Sequence, residues 1–404
     1  MKRLFIICYL ISLSLLSCSK VSPEIVNEQN DHTIPIKEAT QTLINTLNDL
    51  QPATKSKQIK IESVEVVSSS DIYNHITKTA NLDIDKLLYI FNFDNNSGYA
   101  IVAADNRIPD PVLMIADVGN ITKEIFKAIS DCSFIYNLIG DYAVVFTDSP
   151  SDNTPSDDNA SFDGSESDSS GSSSGNISGV IGNVSPMLQS IMHQSEPYNL
   201  SCPEIEPDTR APAGCIPIAM AQIFYYFQYP HVNDDLNIPF SSTFSEDTTD
   251  AYNLYELIYN IGIQTDVMYD KDGSGTTMAK AKTAMEEYYA YEDVIKYNLY
   301  RENIILDMIS EHKPVLIGAS NQWIGGVGHA WVIDGYMHSP TAGHLLHCNM
   351  GWGGPGNGYY ASGVFDVTSG IAPYYPDNTT NINPGEENKD YAYHYRFLDY
   401  NRPR

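Results

Sequence analysis

Residues 213–230 read AGCIPIAMAQIFYYFQYP, and this stretch decides how the rest of the chain is read. Ile218, Met220, Ala221, Phe224 and Tyr225 recur at helical spacing, Pro217 falls in the first turn where its missing N–H costs nothing, and Pro230 stops the pattern. The spacing predicts a helix from Cys215 to about Phe227. Cys215 therefore opens an apolar helix directly after Ala213-Gly214. A thiol there faces the positive end of the helix dipole and main-chain N–H groups, both of which favour thiolate and predict a lowered pKa. A thiolate that must expel an amine needs a proton shuttle, and histidine is the residue suited to it.

Of the ten histidines, His329 has the most telling surroundings, with Gly325-Gly326-Val327-Gly328 before it and Ala330-Trp331-Val332-Ile333-Asp334-Gly335 after it. The glycines allow close backbone approach, and the apolar run predicts a strand that fixes the ring at its start. Asn349, in HCNMGWGG, offers a neutral amide to orient the imidazole, and Trp352 on the glycine-rich turn can cover that bond from water. An oxyanion needs N–H donors, and the Cys215 amide together with Gln194 in HQSEPYN are the candidates. Glutamine, cysteine, histidine and asparagine in that order is the chain order of papain-like peptidases.

Upstream, Ala39, Leu43, Leu47 and Leu50 predict an amphipathic helix over Ile36–Leu50, followed by strands at Ile59–Val67, Leu87–Phe93 and Tyr99–Ala104. Asp94-Asn95-Asn96-Ser97-Gly98 is a turn cluster that makes the last two a hairpin. From Asp148 to Gly179 the chain is almost entirely Ser, Asp, Gly, Asn and Pro with no basic residue, which predicts an exposed linker open to proteolysis. Downstream of Cys215, helices are expected at Thr277–Tyr289 and Ile304–Glu311, then strands at Val315–Gly318, His329–Gly335 and Leu345–Asn349. Helices first and strands afterwards is the α+β order. The length of 404 residues suggests two folded units.

The first twenty residues, MKRLFIICYLISLSLLSCSK, have a basic start and an apolar run too short to span a bilayer comfortably, which is the layout of an export signal. Leu15-Leu16-Ser17-Cys18 resembles the lipobox of bacterial lipoproteins, which implies cleavage before Cys18 and acylation of its thiol. The expected division is a signal peptide at 1–17, a lipid-anchored tether at 18–35, a small α+β unit at 36–147, the linker at 148–179 and the chemistry-bearing unit at 180–404.

A formal charge of −28, from 23 basic and 51 acidic residues, repels phosphate backbones and argues against nucleic acid as a partner. Six cysteines without a C-x-x-C pair give neither a disulfide framework nor structural zinc. Asp270–Gly275 looks in passing like a calcium loop, but its twelfth position is Ala281, which disfavours calcium. A metal site joining His347 and Cys348 to Cys215 and His329 is disfavoured because adjacent strand residues point to opposite faces. No cofactor is expected.

The matches then become specific. VSPMLQSIMHQSEPYN (184–199), AGCIPIAMAQIFYYFQYP (213–230), GSGTTMAKAKTAMEEYY (273–289), GGVGHAWVIDGY (325–336) and HCNMGWGGPGNGYY (347–360) resemble the streptopain family of cysteine peptidases. LYIFNFDNNSGYAIVAADNRIPDPVLMIADVG (88–119) is similar to that family's inhibitory propeptide. The resemblance is to a lipoprotein member of the kind found in Bacteroides-type bacteria. It implies a papain-like fold of two subdomains preceded by an inhibitory prodomain. It also implies Cys215 as nucleophile, His329 as general base, Gln194 as oxyanion glutamine, and Asn349 and Trp352 in the asparagine–tryptophan loop. Two positions depart from the family: Met350 stands where tryptophan usually follows the asparagine, and Ile216-Pro217-Ile218 replaces smaller residues. The expected activity is an exported endopeptidase of the cell envelope, acting on proteins or peptides, held inactive by its own prodomain and touching the membrane through its lipid alone. The alternatives are a catalytically inactive surface protein that binds host proteins and an acyltransferase with the same dyad.

Overall fold

The computed structural model describes residues 32–50, 59–68, 71, 85–108, 110–124, 182–229, 249–320, 328–365 and 393–402. The signal peptide, Cys18, the linker and Gly325-Gly326-Val327 lie outside the described residues. The chain divides into the units Met1–His32 and Thr33–Arg404, and every element below belongs to the second.

Its N-terminal part contains α1 (Ile36–Leu50) and four strands, β1 (Ile61–Val67), β2 (Leu88–Phe93), β3 (Tyr99–Ala103) and β4 (Val112–Ala116). The helix forms where the amphipathic spacing placed it and buries Ala39, Leu43, Thr46 and Leu47. The sequences of β2, β3 and β4 are unbroken apolar runs, LYIFNF, YAIVA and VLMIA, except for Asn92. Strands that are apolar at every position belong in a sheet covered on both faces, and all residues of these three strands are buried. Asn92 is tolerated because its side chain is satisfied on both sides, receiving Ile121 N–H at 2.8 Å and donating to the Ile121 carbonyl at 2.8 Å. The expected hairpin is present as β2 and β3, with a short 3-10 turn at Asp94–Asn96.

The C-terminal part begins with a small hairpin of β5 (Glu204–Glu206) and β6 (Thr209–Arg210). Next come α2 (Cys215–Phe227), α3 (Thr249–Gln264), α4 (Met278–Glu287), β7 (Glu292–Tyr297) and α5 (Glu302–Ser310). The chain closes with β8 (Val315–Ser320), β9 (Gly328–Ser339), β10 (Gly343–Asn349), β11 (Gly358–Ala361) and β12 (Tyr393–Asn401). The α+β class is therefore as the sequence suggested. Helix α2 packs against α3, β8 and β9, while α5 packs against β8 and β9. Trp331, Phe224, Phe365, Phe397 and Tyr400 are fully buried among these layers. At roughly 1.5–3 kcal/mol for each large apolar side chain removed from water, that burial is what holds the helices on the sheet.

One sheet runs through both parts in the order β1-β2-β3-β4-β11-β10-β9-β8-β12-β7, with every adjacent pair antiparallel. The crossing from the N-terminal to the C-terminal strands is the ladder between β4 and β11, where Ala116 faces Gly358, Ile115 faces Tyr359 and Met114 faces Tyr360. A second tie is the Ser339 hydroxyl, which donates to the Asp49 carboxylate at the end of α1 at 3.0 Å. The segments on either side of 125–181 thus share their backbone hydrogen bonding as well as their packing.

Candidate active site

Helix α2 begins at Cys215, and Gly214 immediately before it adopts φ 92. That left-handed value is strained for any residue with a Cβ, and a Cβ there would also sit 3.2 Å from the Ser274 carbonyl oxygen. Glycine therefore lets the chain turn sharply into the helix beneath the 272–276 loop and leaves the Cys215 side chain partly exposed. Across from it, His329 is the second residue of β9, paired with Ala319 of β8, and Ala330 follows it opposite Gly318. Main-chain groups of Ala330, Ile216 and Cys215 itself lie near the Cys215 sulfur and favour its thiolate. The nucleophile candidate is thereby placed one residue along the strand from the base candidate.

The thiol differs from expectation in one respect. Burial pushes the Cys215 thiol up, and the three main-chain groups pull it back only in part. Desolvation disfavours the thiolate and here outweighs the helix terminus.

His329 is buried, and its Nε2 lies 2.9 Å from the carbonyl oxygen of Met350. A carbonyl can only accept, so Nε2 carries the hydrogen and Nδ1 is left as the basic nitrogen. The Trp352 ring stacks on the imidazole with centroids 4.6 Å apart and planes at 30°, and the Trp331 ring lies 6.2 Å away at 15°. Trp352 is buried, so one face of the imidazole is covered by an aromatic wall.

Asn349 is near the base but is not its partner. Its amide donates to the Ser190 carbonyl at 2.8 Å, and its side-chain oxygen receives Gly351 N–H at 3.1 Å. The expectation that this amide orients the imidazole is corrected by the geometry: β10 ends at Asn349, and the following turn, with Gly351 at φ 69, points the next carbonyl at the ring. Met350 is itself fully buried and serves the histidine with its main chain. The unusual residue after the asparagine therefore leaves the imidazole's hydrogen-bond partner in place.

Gln194 is half-buried, and its carbonyl receives Ala213 N–H at 2.8 Å, which fastens it two residues ahead of Cys215. It belongs to a strap, residues 184–194, laid along the C-terminal sheet. Val184 pairs with Tyr336, Met187 N–H donates to the Asp334 carbonyl at 2.9 Å, and Leu188 N–H donates to the Asp334 carboxylate at 2.9 Å. Ser190 is held by Asn349, and the Met192 carbonyl receives Gly353 N–H at 3.1 Å. Asn349 therefore helps locate Gln194 instead of His329.

Three supporting residues were not anticipated. Asn357 is buried, and its side-chain oxygen receives Met350 N–H at 2.9 Å, which fixes the peptide whose carbonyl serves His329. Asp334 is fully buried, and its carboxylate accepts from His347 Nδ1 at 2.5 Å. His347 Nε2 lies 3.1 Å from the Asp117 carboxylate. Burial alone pulls the His347 imidazole down, but Asp334 and Asp117 outweigh it and push it up to about 10. A lone acid inside the apolar run AWVIDG was the available signal, because a buried carboxylate demands a partner. Cys202 and Cys348 are free and buried, and burial pushes both thiols up.

Comparison with known proteins fits this geometry. Residues 192–360 match the Peptidase C10 family. The chain is similar to the thiol protease/hemagglutinin PrtT of Porphyromonas gingivalis, at 23% identity over 68% of this chain and 34% of that protein. It is also similar to streptopain of Streptococcus pyogenes, at 26% identity over 42% of this chain and 52% of that one. The chain thus spans about a third of the first relative and about half of the second. Among solved structures, a prointerpain A fragment from Prevotella intermedia superposes with a TM-score of 0.51 at 19% identity, covering 80% of this chain and 98% of that one, and shares the fold.

Proposed function

We propose, from the match of residues 192–360 to the Peptidase C10 family, that this protein is an exported cysteine endopeptidase made as a zymogen. The observation that carries the reading is the place of Cys215 at the head of helix α2, packed on the strand that carries His329, whose Nε2 is engaged by Met350. That arrangement sets an imidazole oriented through its Nε2 beside a sulfur at a helix head. These are the two groups that acyl transfer through a thioester requires.

In the proposed reaction the Cys215 thiol gives its proton to His329 Nδ1 and the sulfur attacks the scissile carbonyl carbon. The negative charge that develops on the carbonyl oxygen is met by the Cys215 main-chain N–H and the Gln194 side-chain amide. The protonated His329 donates to the departing amine as the carbon–nitrogen bond breaks, which leaves an acyl-thioester. Water, deprotonated by His329, then cleaves the thioester and restores the thiol. Ion pairing with the imidazolium offsets the burial that raises the thiol, so the thiolate forms together with the protonated base.

Residues 36–147 act as the inhibitory prodomain, and cleavage within 148–179 activates the enzyme. Residues 1–17 direct export, and acylated Cys18 anchors the protein to the cell envelope through the tether at 18–35. Protein or peptide substrates approach from outside the cell. The alternative of an inactive surface binder rests on Met350 and on Ile216-Pro217-Ile218 after Cys215; the use of the Met350 main chain by His329 supports the catalytic reading on the first of these.

The test is cleavage of casein by purified wild type and Cys215→Ala. Wild type is expected to hydrolyse casein and to shorten itself within 148–179, while the variant stays full length and inert. Equal hydrolysis by the two would end the proposal. For the anchor, palmitate labelling in cells should be lost in Cys18→Ser; retained label would remove the lipid from the account.

A further inference from the structure

The ladder between β4 and β11 has features that ordinary strand pairing does not need. Gly358 adopts φ 154, and a Cβ at that position would lie 2.2 Å from the Ile115 carbonyl oxygen and 2.9 Å from the Ala116 Cα. Both contacts are with backbone, so no side-chain movement relieves them. The strand of the C-terminal part is therefore shaped to admit β4 at a distance that any other residue would prevent. Immediately beyond the ladder, Asp117 N–H donates to the Asn357 carbonyl at 3.0 Å, and its carboxylate reaches His347 Nε2 at 3.1 Å.

His347 is fitted for that carboxylate. The ring is 5% exposed, Nδ1 is taken by the fully buried Asp334, and the Tyr359 ring stands edge-on 5.0 Å away. The group facing Nε2 within hydrogen-bonding distance is the carboxylate of Asp117, which comes from the N-terminal part. Asp117 is the more exposed partner, its side chain at 45%, so it can be changed without opening a cavity. The same loop reaches the active site, because Asn357 receives Asp117 at its carbonyl and holds Met350 N–H with its side chain.

We propose that β11 and His347 form a dedicated docking surface for the segment 33–124, with Asp117 as the residue that locks this segment in register. The occupant is the stretch seated there, a short apolar strand ending in a carboxylate. This inference deepens the zymogen reading and rests on it for its biological meaning, but the lock is a property of the folded chain and is measurable without enzyme activity. Asp117 is a positioning residue: it touches no reacting atom and acts on the fit of one segment to the other.

The experiment is amide hydrogen exchange on the full-length Cys215→Ala chain with and without Asp117→Asn and Asp117→Glu. Loss of a charge-assisted hydrogen bond raises local opening by roughly tenfold or more. With Asp117→Asn, exchange is expected to quicken by that factor at 112–117 and 358–361, while 315–318 and 330–333 keep their protection. Asp117→Glu, which retains the charge, is expected to recover most of the protection. Unchanged exchange in the two strands, a uniform rise over the whole chain, or no recovery with glutamate would each overturn the lock. A failure of the peptidase reading appears separately, as an inert wild-type protein whose exchange pattern still responds to Asp117.

Discussion

The carbonyl oxygen of Met350 accepts a hydrogen bond from Nε2 of His329 at 2.9 Å. The tautomer of the proposed base is therefore fixed by main chain, and the identity of the Met350 side chain has no part in it. What matters is whatever holds that peptide still, and Asn357 does so through its hydrogen bond to Met350 N–H.

Asn357→Ala is expected to lower kcat by about tenfold to a hundredfold and to leave KM nearly unchanged, since misplacing a base weakens the transition state and not ground-state binding. Steady-state kinetics on a short peptide substrate check this. A rise in KM with kcat preserved would mean that Asn357 shapes the cleft instead.

Asn349→Ala removes the acceptor of Gly351 N–H and the donor to the Ser190 carbonyl. Leaving those groups without partners costs about 1–3 kcal/mol each at most, read as a lower midpoint in urea. Because the His329 bond to Met350 survives, the pH at which activity turns on should not move in this variant. A shifted pH profile would restore Asn349 to the role of imidazole partner.

His347 gives a pH dependence of known sign. Its folded-state value is raised to about 10 from an ordinary value near 6.5. The stability it contributes is fully present below about 6.5 and is lost as pH rises through about 10. Thermal melting of the Cys215→Ala chain should therefore show Tm falling between pH 7 and 10 by more than in the same chain carrying His347→Gln. Parallel Tm curves for the two would place the imidazolium outside the folding equilibrium.

The Cys215 thiol is raised by burial, so at neutral pH the full-length chain holds less thiolate than a free cysteine would. Alkylation of Cys215 by iodoacetamide should be slow at pH 7 and climb steeply only above the usual thiol range. Mass spectrometry of the labelled peptide reports the rate. Rapid labelling that is flat from pH 6 to 9 would mean that the thiolate is already formed in the intact chain.

Much of this was legible because local signals agreed with the packing. Helix α2 was read from end to end, since Gly214, Pro217 and Pro230 bracket an apolar run that has only one way to be buried. The strands β2 and β3 and their turn were equally plain. Helix α3 was missed because TDAYNLYELIYNIGIQ mixes polar and tyrosine positions and carries Gly262 within it. The strand β11 was missed because GYYA follows four glycines in the preceding eight residues and reads as a loop; it becomes a strand through pairing with β4 and β10. For the candidate site the sequence offers side chains and is silent on main chain. Every residue carries a carbonyl, so nothing in HCNMGWGG distinguished the oxygen of Met350 from the amide of Asn349 as the histidine's partner. The direction of the thiol's shift depends on burial, which a sequence window does not supply.

The position of β11 within the sheet has a consequence for any processed form. If residues 33–124 leave, Gly358–Ala361 becomes an outermost strand, with a row of N–H and C=O groups turned to solvent and neither lysine nor proline along GYYA to discourage neighbours. A released enzyme would then carry an adhesive border that invites homotypic pairing between molecules. Retaining the N-terminal segment as a noncovalent companion would keep that border covered.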